Sequence, residues 1–223
     1  DDLSATLDAT IRLAPARIAL FGYAHMPRLL PRQRRIDASD LPDVAQRFAM
    51  AAMGHDALTQ AGYRAIGFDH FALPSDGMAL SAAQGRLRRN FQGFTDDPAQ
   101  ILIGMGASAI SQFPDLIVQN AKQAGPWRTA IEAGQLATTR GLVRTAEDQR
   151  RGRIIEALLC QGEVHLDAGD PRPDLDRFEQ RGLVERSGNR LLLPPEALPY
   201  ARSIAACFDA YLEPVETRFS HAV

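Results

Sequence analysis

The string Arg88-Arg89-Asn90-Phe91-Gln92-Gly93-Phe94-Thr95 crowds guanidinium and amide groups between two aromatic rings. Its glycine lets another group come close to the backbone. A second string, Ile103-Gly104-Met105-Gly106-Ala107-Ser108-Ala109-Ile110-Ser111, joins an apolar run to paired small residues, as where a buried strand meets a ligand. Arg89 can grip a carboxylate by two parallel hydrogen bonds, and Gln92 can orient a carboxylate. Polar forks, aromatic faces and bare backbone suit a large, flat, carboxylated substrate beside a nucleotide-like cofactor. The same spacing also fits an ordinary strand–turn–strand in which Arg89 and Gln92 only tie down the turn.

Other groups able to do chemistry are sparse. His25, Asp69 and His70 form a set that could bind metal or move protons, or could brace strand ends. His55, His165 and His221 have no metal-like partners in sequence. The two cysteines, Cys160 and Cys207, stand far apart in apolar helical contexts and cannot make a closely spaced thiolate site. No glycine-rich phosphate loop, nucleophilic serine motif or Cys-His pair is present. Arg140, Arg144, Arg150, Arg151 and Arg153 form a basic run. It could touch nucleic acid, but Glu147, Asp148 and Glu156 interleave it, as on a solvated face. The net charge of -2 gives no overall pull toward nucleic acid. No apolar stretch is long enough for a bilayer span, and two separated cysteines fit a reducing cytosol.

The elements that must position these groups are legible in outline. Leu3, Leu7, Ile11 and Leu13 stripe a helix that Pro15 ends. Arg17 to Tyr23 reads as a buried strand whose end delivers Ala24 and His25, the usual ligand position of parallel α/β folds. Asp40 is predicted to cap the next helix, with Pro42 in its first turn and an apolar face of Val44, Phe48, Ala51, Ala52 and Leu58. Gly62 stops it. Tyr63 to Phe71 reads as the following strand, and this strand–helix–strand rhythm belongs to an α/β layer or barrel. Ile101 to Ile110 reads as an apolar, glycine-broken strand, and Trp127 to Gly134 as a short helix. Beyond Arg140, Thr145 and Asp148 make an acidic capping box for a helix carrying Ile154, Ile155, Leu158 and Leu159. A helix over 175–181, a hairpin around Ser187-Gly188-Asn189 and a final helix from Leu198 to Leu212 complete a winged-helix-like order.

These blocks resemble the oxygen-independent coproporphyrinogen III oxidases, radical S-adenosylmethionine (SAM) enzymes of haem synthesis. The resemblance rests on Asn90 to Thr95, Gly104 to Ser111, Phe21-Gly22-Tyr23-Ala24-His25-Met26-Pro27 and Arg32-Gln33-Arg34-Arg35-Ile36. It continues through Gly67 to Pro74, Val118-Gln119-Asn120, Arg202-Ser203-Ile204 and Cys207 to Leu212, all in family order. It implies an α/β fold: the carboxy-terminal part of a radical SAM partial TIM-type barrel over 1–135, then a mainly α winged-helix-like domain over 136–223. It carries over Gln92 as a catalytic or substrate-binding residue, Arg89 as substrate-binding, and Ala24 and Ile110 as contacts to SAM. Arg88 stands where the family pattern often has His.

The family's cluster motif, Cys-x3-Cys-x2-Cys, is absent from this sequence. The resemblance therefore implies that the [4Fe-4S] cluster and SAM belong to a longer parent. This chain reads as a carboxy-terminal fragment, inactive alone and able to self-associate through an exposed barrel edge. The parent is expected to be a cytoplasmic monomer acting on coproporphyrinogen III, without membrane or nucleic-acid partners. The alternative from a different class is a non-catalytic winged-helix module that binds haem or nucleic acid.

Overall fold

The computed structural model describes residues 2–212. The chain forms two compact units, one from residues up to 96 together with those from 155 on, the other from 97–154.

In the first unit, helix α1 (Asp2–Leu13) packs Leu7 into a core with Leu58, Tyr63 and Phe71. Strand β1 (Arg17–Ala19) follows. It is three residues long and half exposed, not the buried seven-residue strand predicted from Arg17 to Tyr23. Helix α2 (Val44–Gln60) is capped by Asp43 rather than Asp40. The Asp43 carboxylate accepts from the Gln46 amide at 2.8 Å and Gln46 Oε1 accepts from the Asp43 amide at 2.9 Å. Asp40 instead closes a 3₁₀ turn, Ala38–Asp40. The cause is Pro42: the residue before proline is driven to extended backbone, so Leu41 (φ −85°, ψ 143°) cannot join a helix.

Tyr63 to Phe71 is a hairpin, not one strand. Strand β2 (Arg64–Ile66) and β3 (His70–Ala72) pair antiparallel through Gly67-Phe68-Asp69, and β1 pairs with the other edge of β3. Gly67 has φ +59°, which suits glycine. Every strand pair among the described residues is antiparallel. β1 and β2, the strands on either side of α2, each run antiparallel to β3 and therefore parallel to one another, so the strand–helix–strand reading stands with β3 inserted between its two strands. A three-residue turn permits only a hairpin, since a parallel crossover needs about a dozen residues. Helix α3 (Gly77–Ala83) is capped by Asp76, and strands β4 (Arg88–Asn90) and β5 (Gly93–Thr95) form a hairpin.

The second unit carries strands β6 (Ile110–Gln112) and β7 (Leu116–Asn120), helix α4 (Ala124–Glu132) and strand β8 (Thr138–Val143), in the sheet order β6-β7-β8. The strand predicted from Ile101 to Ile110 is mostly loop, with one bridge between Leu102 and Gln112. β8 had no signal in the sequence reading because Thr138-Thr139-Arg140-Gly141 lacks apolar alternation. Helix α5 (Ala146–Gln161) starts at the predicted box: Asp148 Oδ2 accepts from the Thr145 amide at 2.8 Å, and Thr145 Oγ1 from the Asp148 amide at 3.1 Å.

The chain then forms strand β9 (Glu163–His165), helix α6 (Asp176–Glu179), the hairpin β10 (Glu185–Ser187) and β11 (Arg190–Leu192), and helix α7 (Ala201–Ala205). The predicted hairpin forms, but Ser187 joins its strand and pairs with Arg190, leaving a two-residue turn of Gly188 and Asn189, and β9 adds a third strand beside β11. The long final helix is broken into 3₁₀ turns at Pro195–Tyr200 and Ala206–Phe208 on either side of α7; in the first of these Pro199 has no amide hydrogen to donate. His221 lies outside the described residues.

Candidate functional site

The 88–95 string folds as the β4–β5 hairpin with Phe91 and Gln92 at its tip. Asn90 Oδ1 accepts from the Gln92 amide at 2.8 Å, which fixes the turn from within. Phe91 and the Gln92 side chain are exposed. The hairpin is held on α5 by Glu156, whose Oε1 accepts from Arg88 Nε at 2.7 Å and from the Arg89 amide at 3.0 Å. Gln161 Nε2 also donates to the Leu87 carbonyl at 3.1 Å. Arg88 is therefore a structural pin.

Arg89 turns inward. Its guanidinium lies over Phe94 at 4.7 Å and Phe68 at 5.4 Å, and buried Nη1 has no hydrogen-bond partner among the described residues. Burial pushes its pKa below the ordinary value; Asp69 opposes that shift. A desolvated cation against two ring faces is suited to an anion. The Phe94 ring fits because Gly67 has no side chain: a Cβ there would lie 2.1 Å from Phe94 Cζ. Phe94 also meets Phe68 and His70 edge-on, with ring centroids at 5.6 and 5.3 Å.

Asp69 and His70 are joined by an Oδ1–Nδ1 contact of 2.6 Å, beside Phe94. This is a brace. Among the described residues no group of three or more His, Cys, Asp or Glu side chains could hold a metal ion. Cys160 and Cys207 are both free thiols. Burial pushes the Cys160 thiol up to about 12, helped by Glu156, so it stays protonated at neutral pH.

Phe68 connects this cluster to a cavity of about 570 Å³. Its walls are Leu20 to Tyr23 with His25, the Phe48, Ala51 and Ala52 part of the predicted apolar face of α2, Gly67, Phe68 and Phe71, and residues of the turn from Pro195 to Pro199; Ala24 is not among the lining residues. The predicted apolar face of α2 is only partly core: Leu58 is fully buried, whereas Val44 and Phe48 are exposed. Ala24 and His25 follow an extended stretch rather than a strand end. Gln33 holds that bend, with Nε2 donating to the Ala24 carbonyl at 2.9 Å and Oε1 accepting from the Met26 amide at 2.5 Å. Arg47, one turn beyond Val44 on α2, also lines the cavity and was missed in the sequence reading; a lone cation on an apolar helical face was the available signal.

Ile110 lies in the second unit, half-buried on β6 opposite Gln119. Its backbone supports Gly104 so closely that a Cβ on Gly104 would lie 2.4 Å from the Ile110 carbonyl oxygen. Asn120 Nδ2 donates to the Gly106 carbonyl at 3.0 Å, and Gln119 Nε2 to the Ser108 carbonyl at 3.0 Å. The glycine-rich string is thus a loop sewn onto β7. Arg150 and Arg151 both pair with Glu147, which ties that part of the basic run into ion pairs along its own helix.

No family model matches the chain. Curated relatives do. The anaerobic coproporphyrinogen III oxidase 1 of Cereibacter sphaeroides is 39% identical over 235 residues, covering 100% of this chain and 52% of the relative. The oxygen-independent coproporphyrinogen III oxidase of Thermostichus vulcanus is 37% identical, covering 98% of this chain and 72% of the relative. The chain belongs to the oxygen-independent coproporphyrinogen III oxidase family. The solved structure of coproporphyrinogen III oxidase HemN from Escherichia coli, described as a radical SAM enzyme, is similar at a TM-score of 0.83 and 32% identity, over 94% of this chain and 51% of that one. The α/β assignment therefore holds. The chain spans about half the length of most of the curated relatives it matches. Within this oxidase family frame, the hairpin and cavity supply aromatic walls and buried cationic groups, while Ala24 and Ile110 fall in separate units. No helix among the described residues is long and apolar enough to cross a membrane.

Proposed function

We propose that the protein is part of a radical SAM coproporphyrinogen III oxidase, which decarboxylates two propionates of coproporphyrinogen III to vinyl groups and yields protoporphyrinogen IX for haem synthesis. The observation that carries this is the family membership together with an aromatic cavity bordered by desolvated arginine. Carboxylates on a flat ring system match that lining. Arg89 would hold a propionate, and the exposed Gln92 amide would orient it. Ala24 and Ile110 would border SAM, one by close backbone approach and the other by apolar packing. SAM with a [4Fe-4S] cluster supplies radical hydrogen abstraction in such enzymes. The cluster needs three close thiolates, which Cys160 and Cys207 do not provide, so we assign it to the longer polypeptide typical of the relatives. We keep the division into a barrel-derived part over 1–135 and a winged-helix-like part over 136–223, supported by the helix, strand and hairpin order after Thr145. We place the protein in the cytoplasm as a monomer. An exposed barrel edge would let a fragment self-associate.

The test is anaerobic turnover of coproporphyrinogen III by the protein at its natural length. Gln92→Ala should lower the rate about ten- to a hundredfold, as expected for loss of a contact to a charged group, with the cluster spectrum intact. Unchanged turnover at subsaturating substrate would remove Gln92 from the site. Absence of decarboxylation by the unaltered protein would overturn the functional reading.

A further inference from the structure

Two polar atoms on the cavity wall are buried without a hydrogen-bond partner among the described residues: His25 Nδ1 and Arg47 Nη2. A buried donor left unmade costs free energy, so such atoms mark where a ligand's acceptor completes the site. The surroundings narrow the ligand. Phe21 (70% exposed), Tyr23, Phe48 and Phe68 offer aromatic surface, and a planar guanidinium accepts a carboxylate in two parallel hydrogen bonds. Asp56 and Glu196 also line the cavity, and Asp56 lies 3.4 Å from His55. We infer that Arg47, with His25, forms a carboxylate-binding site in this cavity whose occupant is a propionate of a tetrapyrrole ring. This rests on the proposed function and assigns it a second cationic anchor, separate from Arg89.

Gly22 provides an independent handle. A Cβ there would come within 2.9 Å of Arg47 Nη2 and 3.2 Å of Nε. Gly22→Ala must therefore move the guanidinium, and since that is the end of a flexible side chain, the fold can accommodate it.

The probe is coproporphyrin III, the stable oxidised ring, with its tetramethyl ester as the uncharged control, titrated into the purified chain by fluorescence. Arg47→Gln should weaken the free acid about ten- to a hundredfold, the range for a hydrogen bond to a charged group, and leave the ester unchanged. Gly22→Ala should do the same with unaltered circular dichroism, and Arg47→Lys should recover part of the loss. Equal weakening of acid and ester would make Arg47 a mere wall residue and overturn the inference. So would weakened binding of SAM with coproporphyrin unaffected, since the carboxylate would then be that of the amino acid. Failure of the unaltered chain to bind coproporphyrin also overturns it, whereas the functional reading is decided separately by the anaerobic turnover assay.

Discussion

The wall from Leu20 to Asp56 and the carboxy-terminal region from Ile155 to Phe208 are both rich in large apolar residues, yet they spend them differently. In the carboxy-terminal region Leu158, Leu175, Leu191, Ile204 and Phe208 are almost wholly inaccessible. In the wall, Phe21, Tyr23, Phe48 and Met50 remain exposed. A filled core has no room for a partner. An open apolar surface on a folded domain is the usual mark of a binding face. The difference separates residues that hold the structure together from residues that await a ligand or a covering segment.

The largest effect should come from the filled side. Phe208→Ala should cost about 3–5 kcal/mol in chemical denaturation, while Phe48→Ala should cost less than about 1 kcal/mol and instead weaken coproporphyrin binding. Equal destabilisation by both would break the comparison, because Phe48 would then be core. Gly67→Ala comes next. It combines a positive φ with a steric conflict against Phe94, and should cost about 2–4 kcal/mol and disturb the Phe68 side of the cavity. Retained stability would show that Phe94 is free to move.

Asp76→Ala probes how firmly the amino-terminal layer is held despite its open wall. Asp76 accepts from the Met78 amide at 2.8 Å and from Arg17 at 2.9 Å. Burial raises its pKa, but the hydrogen bonds from Arg17 and Met78 outweigh that and hold the carboxyl below its ordinary 3.8. A depressed folded pKa gives stability that is present above about pH 4 and lost as pH falls below it. The variant should lose about 1–3 kcal/mol at neutral pH, in denaturant titration, and show a flatter acid limb. The smallest effect concerns Cys160. Its thiol is neutral in the fold up to about pH 12 and ionises in the unfolded chain near 9.0, so stability should decline across that interval. Cys160→Ala should flatten the decline, and native Cys160 should resist iodoacetamide at pH 8. Rapid alkylation would mean that the carboxy-terminal region is looser than its buried side chains indicate.

Features set by local chemistry were legible in the sequence. The Thr145–Asp148 box and the Ser187–Arg190 hairpin depend on a few adjacent residues, and both formed where expected. Helix α2 was located, but its cap moved from Asp40 to Asp43 because the constraint of Pro42 on Leu41 outweighs the capping preference of an aspartate. The 63–71 segment was misread as a single strand, since its apolar residues continue past the Gly67 turn that splits it into β2 and β3. At the candidate site, Arg89 and Gln92 drew notice through their residue types, and the structure puts both on one hairpin, Arg89 turned inward and Gln92 exposed. Arg47 drew none, because its significance arises only when α2, Gly22 and the Pro195–Pro199 turn meet in space.

Hydrogen–deuterium exchange of the purified chain with and without coproporphyrin III tests the central distinction most directly. The account predicts slower exchange over residues 20–56, 67–71 and 195–200 on binding, with 155–193 unchanged because those amides are already protected. Protection confined to 155–193, or none in the wall at saturating ligand, would contradict it.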